Sequence, residues 1–260
     1  MDRSHRLVIF VGLLVIVCAG FVGGQVTYAT FLDRGNATGS VSAAASFNGQ
    51  RPSGYAYDDA NGNGRWDPGE PTYTEQQLYS FDDPSASLVI PSDVGVVNNS
   101  NGISITAGNI TAETDFQSNW GSVSLTATRG AIDVTGQQLI AFSRVDVSGQ
   151  SVSGSRANIG SLGSVTLSAR ENGGGPLDAS GASVTSLFGN VTLRSNGDIS
   201  LNNAEVNASQ YGSISASLQG GSPTLSVGGA SLSDQDDTLV YTPAGIKTTG
   251  HPSSGSITEG

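Results

Sequence analysis

"GNVTLRSNGDISLNNAEVNASQYGSISASL", Gly189 to Leu218, decides the fold. It breaks into short pieces in which apolar residues alternate with small polar ones. Such alternation reads as strands with one buried face. The Gly, Asn and Ser residues between the pieces read as turns. The stretch also opens twice, with "GNVTL" at 189 and "GSISA" at 212. Further out, the same opening recurs as "GISI" at 102, "GSVSL" at 121 and "GSVTL" at 163. A second phrase runs between them: "IDVTGQQL" at 132, "VDVSGQSV" at 145, "LDASGASV" at 177, "ISLNNAEV" at 199 and "LSVGGASL" at 225. The long gap between Gly121 and Gly163 holds two coils, the unmarked one served by "SRVDVSGQSV".

Self-similarity at roughly 20 residues marks a solenoid, and short strands at that period make it a parallel β-helix. The expected fold class is therefore all-β, a right-handed parallel β-helix of about six or seven coils. Val123, Leu125, Ile132, Val134, Val165, Leu167, Val191, Leu193, Ile199 and Leu201 are expected to point inward, each stacked on its equivalent one coil away. Ser, Thr and Asn are expected outside. Stacking explains how a chain with 36 Gly and only 37% hydrophobic residues buries a core. The 189–218 stretch resembles the coils of filamentous-haemagglutinin-type adhesins, and the resemblance covers 101 to about 235. It implies a β-helix displayed or secreted at a cell surface.

Composition narrows the partners. The 260-residue chain has 11 basic and 22 acidic residues, a net charge of -11, and a single lysine, Lys247. An acidic surface this poor in lysine argues against nucleic acid or an anionic membrane as partner. It suits a protein kept soluble in strong salt, from a haloarchaeal or bacterial source. The only cysteine, Cys18, lies in the N-terminal apolar run, so no disulfide is expected.

That run, "LVIFVGLLVIVCAGFVGG", follows the basic start "MDRSHR" and reads as a signal peptide over 1–29, or a retained signal-anchor. Thr27 and Ala29 offer a cleavage site that would leave Thr30 as the mature N-terminus. Thr27, Ala29, Phe31, Asp33, Gly35 and Asn36 resemble the signal region of camelysin-like exported proteins. That resemblance implies export and cleavage.

Residues 30–95 form an N-terminal segment whose key feature is "DANGNGRWDPGE", Asp59 to Glu70. It matches the EF-hand-like calcium pattern D-x-[DN]-x-[DN]-G-x5-E at every position. Calcium is a hard cation that takes six to eight oxygens. Asp59, Asn61 and Asn63 would supply side-chain oxygens, Arg65 its backbone carbonyl, Asp67 a further carboxylate and Glu70 a bidentate one. Gly64 permits the sharp turn. The loop resembles those of exported modules with "NGNGxWDPGE". With one unpaired site, the expected affinity is on the order of 0.1 to 1 mM. "TYTE", Thr72 to Glu75, reads as a capping box for a short helix reaching about Tyr79. Leu78, Tyr79 and Phe81 would then plug the open end of the first coil. The alternative is a solvated Asn-Gly turn without metal.

Other residues are weaker pointers. Asp133, Asp146 and Asp178 share the outward slot of the second phrase and are the candidate carboxylates of a polysaccharide lyase or hydrolase. Ser200 and Ser226 take that slot in later coils, neither His5 nor His251 lies in the repeats, and the repeats hold few aromatics. No catalytic residue is therefore assigned. Asn36, Asn98, Asn109, Asn190 and Asn207 begin N-x-S/T sequons, readable as glycan sites or as hydrogen-bonding turn residues. The expected organisation is completed by the β-helix over 96–245 and a flexible tail over 246–260. The functional expectation is a non-enzymatic, calcium-stabilised exported protein with a structural or adhesive role, whose partners are cell-surface glycans or matrix proteins. A carbohydrate-active enzyme and a fibre subunit assembling end to end are the rivals.

Overall fold

The computed structural model describes residues 50–209, 211–219, 222–234, 238–242 and 247–259. The signal region, Cys18 and the sequon at Asn36 lie outside them. The described chain is a parallel β-solenoid of about seven turns with almost no helix.

It begins with an antiparallel unit. Strand β1 (Tyr55–Asp58) pairs with β2 (Thr72–Thr74), and helix α1 (Glu75–Leu78) follows. Then β3 (Ser80–Ile90) begins the solenoid. Strand β1 also lies antiparallel against the second half of β3, Tyr57 opposite Val89 and Asp58 opposite Leu88. It therefore covers part of the edge that a first coil would otherwise present to solvent. The solenoid starts at Ser80, earlier than the expected boundary at 96, because β3 pairs in parallel with β5 (Ile103–Ala112) along both halves. Between these two, β4 (Val97–Asn98) starts the third face.

From there each coil has three faces. The first is built by Val123–Ala127, Val145–Gly149, Val165–Ala169, Val191–Ser195, Ile214–Leu218 and Thr238–Thr242, stacked on the first half of β5. The second continues from the second half of β5 through Ala131–Asp133, Ser151–Ser153, Leu177–Asp178, Ile199–Ser200 and Thr224–Ser226. The third is a separate seven-stranded sheet running from β4 to Ser231–Ser233. All ten residues expected to point inward are fully buried. They stack in register, Val123, Val145, Val165 and Val191 forming one column and Leu125, Val147, Leu167 and Leu193 another. Parallel pairing at about 4.8 Å puts each side chain on its equivalents, so the core is continuous although no single coil holds much of it.

The opening glycines of the repeat are a steric requirement of this stacking. A Cβ on Gly163 would stand 1.9 Å from the Ser143 carbonyl oxygen, and one on Gly212 would stand 1.9 Å from that of Gly189. At this corner the backbone of the previous coil occupies the place of the side chain.

Three expectations change. The capping box is Thr74 with Gln77, two residues later than the Thr72–Glu75 reading: the Gln77 backbone N–H donates to Thr74 Oγ1 at 3.4 Å, and the Thr74 N–H donates to Gln77 Oε1 at 2.8 Å. Thr72 cannot cap because it is paired with Tyr57 in the hairpin. The described part of the tail, 247–259, pairs with earlier coils. Lys247–Thr249 pairs with Thr224–Ser226, and Ser256–Glu259 pairs with Thr238–Thr242. Ile257 packs against the core, and Thr249 Oγ1 lies 2.9 Å from Ser226 Oγ, so this segment repeats the inward and outward positions of earlier coils. Finally, "VDVSGQSV" spans two faces: Val145 stacks on Val123 in the first, and Val152 on Ile132 in the second.

Candidate functional site

The loop from Asp59 to Glu70 is the tip of the β1–β2 hairpin, and its N-terminal end is fixed to the first coil. The Asp59 N–H donates to the Ser87 carbonyl at 2.8 Å, and Asp58 Oδ1 accepts from the Ser87 N–H at 2.7 Å. Ser87 follows the register shift in β3 between Asp83 and Ser87, a segment that contains Pro84. The hairpin thus ties down the irregular part of the first coil.

Within the loop, Asp59 is almost fully buried and accepts from the Asn63 N–H at 3.0 Å and the Gly64 N–H at 2.8 Å. Gly64 takes the left-handed conformation, φ +75°, that the turn demands. Asn61 Oδ1 accepts from the Asn63 N–H, and Asn63 Oδ1 from the Arg65 N–H. Glu70 closes the loop, Oε1 accepting from the Ala60 N–H at 3.0 Å and Oε2 from the Asp67 N–H at 2.8 Å. The Trp66 indole N–H donates to the Glu70 carbonyl, and the Tyr57 hydroxyl to the Gly64 carbonyl, which braces the loop from beneath. Burial raises the Tyr57 phenol above its ordinary range, reinforced by the Asp59 charge. The Arg65 side chain is exposed. A hollow of about 590 Å³ lies beside the loop, lined by Arg51, Asp59, Trp66, Thr111 and Glu113 among others.

The donor set suits a hard cation. Asp67 Oδ2 is approached by the side-chain amides of Asn61 at 2.6 Å and Asn63 at 2.7 Å. The oxygen and nitrogen of an amide are interchangeable by rotation, so both amides can present oxygen to the point where they meet Asp67. Asp59 and Glu70 each accept two N–H groups and keep lone pairs in hand. The carboxylates themselves stand apart: among the described residues no three acidic, imidazole or thiol groups gather as a metal cluster. Asp59 and Glu70 turn their oxygens onto loop N–H groups instead.

The outward acidic residues divide into two columns. Asp133 and Asp178 lie on the second face with Ser153 between them, in a column running Thr111, Asp133, Ser153, Asp178, Ser200, Ser226. Asp146 belongs to the first face, beside Ser124 and Thr166. The structure does not bring the three together. Asp178 is engaged locally, accepting from Ser155 Oγ at 2.6 Å and the Ser180 N–H at 2.9 Å. Burial pushes its carboxyl up, but these bonds outweigh burial and hold it below the usual range.

Two sequon residues act at corners. Asn109 Oδ1 accepts from the Ala131 N–H of the next coil, and Asn190 Oδ1 from the Ser213 N–H, both at 3.0 Å. They supply acceptors where the strand ladder is interrupted. Asn98 is exposed and Asn207 half-buried.

Sequence reasoning missed the aromatics. Of the five exposed large hydrophobic residues among the described ones, Trp120, Phe142, Phe188 and Tyr211 stand at the corner between the third and first faces. Each sits just ahead of its coil's first-face strand, and Leu162 takes that place in the intervening coil. Comparison with known protein families, curated proteins and solved structures gives no match to this chain. Among the described residues, no helix is long and apolar enough to cross a membrane.

Proposed function

We propose that the protein is a non-enzymatic, exported surface or matrix protein in which calcium at the Asp59–Glu70 loop locks the end of a structural or adhesive β-solenoid. One observation carries the reading: the loop that matches a calcium pattern is the tip of the hairpin laid on the edge of the first coil. Asp59, Asn61, Asn63, Asp67 and Glu70, with the Arg65 carbonyl, would hold the ion. Its chemistry there is charge neutralisation of three carboxylates, not catalysis. A fixed loop would hold β1 against β3, with Leu78 fully buried and Phe81 nearly so beneath it. Tyr73 packs edge-on against Phe81 at 4.8 Å between ring centroids. Export is supported by the N-terminal sequence pattern and by the acidic, cysteine-poor composition.

The test is thermal melting with and without millimolar calcium. At calcium a hundredfold above the dissociation constant, stabilisation should be about 2.7 kcal/mol. Chelator should lower the melting temperature, and Asp59→Ala or Glu70→Ala should abolish the calcium response. Identical melting with calcium and with chelator would leave the loop as a hydrogen-bonded turn. N-terminal sequencing of the protein from medium or envelope tests export, with Thr30 expected first.

A further inference from the structure

The geometry points to the aromatic corner as a binding ridge for an extended, uncharged polysaccharide, an inference that rests on the surface role proposed above and names its ligand class.

The corner is built by the coils themselves. Ahead of each of five successive first-face strands stands an apolar residue, then Gly or Ser, then a polar or charged residue, then the first inward residue: "WGSV" at Trp120, "FSRV" at Phe142, "LGSV" at Leu162, "FGNV" at Phe188 and "YGSI" at Tyr211. Gly121, Gly163, Gly189 and Gly212 lie so close to the previous coil that a Cβ would stand 2.5 Å or less from its atoms. Buried serines fix the bend. Ser118 Oγ accepts from the Gly121 N–H at 3.0 Å, and Ser186 Oγ from the Gly189 N–H at 3.1 Å. Trp120 is 71% exposed and Tyr211 78%, more open than any buried packing role requires. Trp120 and Phe142 touch at 5.3 Å between centroids, so neighbouring coils place their rings side by side.

The result is one apolar side chain per coil, advancing at roughly 4.8 Å and extending about 20 Å along the axis. Beside it runs a hydrophilic row: Ser122, Arg144, Ser164, Asn190 and Ser213. A pyranose ring has an apolar C–H face and a rim of hydroxyls. The C–H face is attracted to the electron-rich face of an aromatic ring, and the rim can bond to the hydrophilic row. A sugar unit in an extended chain advances by a distance comparable to one coil.

Charge selects the occupant. Along this corner Arg144 is paired with Asp146 at 2.8 Å, and at the far end the Asp234 carboxylate accepts from the Ile214 N–H at 3.1 Å. The chain as a whole carries -11. A second copy, an acidic glycan or an anionic membrane would be repelled by that negative field; a neutral glycan would not.

Binding of cellohexaose, chitohexaose and mannohexaose to the full exported chain, measured by calorimetry, tests this, with polygalacturonate as the acidic probe. Wild-type protein is expected to bind at least one neutral hexasaccharide, more tightly than polygalacturonate. The variant W120A/F188A/Y211A is expected to weaken that binding at least tenfold while keeping its circular dichroism and its melting temperature. Three outcomes would overturn the ridge: no binding to any neutral probe, equal binding by the folded triple variant, or sedimentation showing self-association that the triple variant loses. The calcium dependence of melting should be the same in wild type and triple variant. A failed ridge and a failed calcium loop are therefore read separately.

Discussion

The cap and the coils use aromatic residues in opposite ways. In the cap, Tyr57 and Phe81 are buried, with Tyr73 and Tyr79 packed alongside or partly within the core. Beyond Phe116, every buried hydrophobic residue described in the coils is Val, Ile, Leu or Ala, while Trp120, Phe142, Phe188 and Tyr211 stand outside. The coil interior is a set of columns in which each side chain has a neighbour above and below at about 4.8 Å. Aliphatic residues fill most of these columns, and one buried ring, Phe116, is stacked between Val97 and Leu139. The outer side of the first coil meets the hairpin and helix in place of another coil, and there the larger residues fit. The two regions also differ in how stability is shared. Each coil leans on its neighbours through repeated contacts, whereas each contact in the cap occurs once.

The largest expected effect probes the columns. Leu193→Asp would put an unpaired charge between Leu167 and Ala216 and should cost about 3–5 kcal/mol. Thr192→Asp, one residue along and half-exposed, should stay within about 0.5 kcal/mol. Denaturant unfolding measures both. Equal losses would break the distinction between inward and outward positions.

Next come two glycines that differ in their reason for being glycine. Gly163→Ala in the coils meets backbone at 1.9 Å and should cost up to about 3 kcal/mol. Gly64→Ala in the cap loop has open space and should cost only the left-handed strain, about 1 kcal/mol. A reversed order in melting experiments would mean that the coils can separate at the corner.

A smaller effect is confined to the cap. Thr74→Ala removes the hydroxyl that accepts from the Gln77 N–H and should cost about 1 kcal/mol. Hydrogen exchange should rise over 72–83 and stay unchanged beyond 120. Faster exchange throughout the coils would show the cap controlling the whole stack.

Acid gives the smallest effect and touches both regions. Burial raises the carboxyl of Asp93 in the cap, but bonds from Arg51, Gly54 and Ser53 outweigh it and hold it low. Asp178 in the coils is held low in the same way. A carboxyl whose folded value lies below its unfolded one stabilises the fold above the unfolded value, near pH 4, and loses that contribution as pH falls through the folded value. Melting should therefore be insensitive to these groups near neutrality and decline below about pH 4. Asp93→Asn and Asp178→Asn should each flatten that decline by less than about 1 kcal/mol, since both groups are partly exposed. A decline unchanged in both variants would assign the acid sensitivity elsewhere.

Much of this was legible in the chain itself. Alternation fixed which residues face inward, because strand periodicity is local and every coil repeats it. The calcium pattern and the existence of a short capped helix were legible for the same reason: they depend on residues a few positions apart. What escaped were relations between coils. Asp133, Asp146 and Asp178 look equivalent in their local phrases, yet register puts Asp146 on another face. Thr72 looks like a cap until β1 claims it as a strand residue. Trp120, Phe142, Phe188 and Tyr211 are separated by one or two coils and look like isolated aromatics in a Ser- and Gly-rich sequence. The sequence by itself determined a stacked β-solenoid with a short capped helix near its start. Only the tertiary structure decided that β1 guards the first coil's edge and that the aromatics share one corner. Those outcomes depend on lateral hydrogen-bond register between coils, which no single stretch of sequence contains.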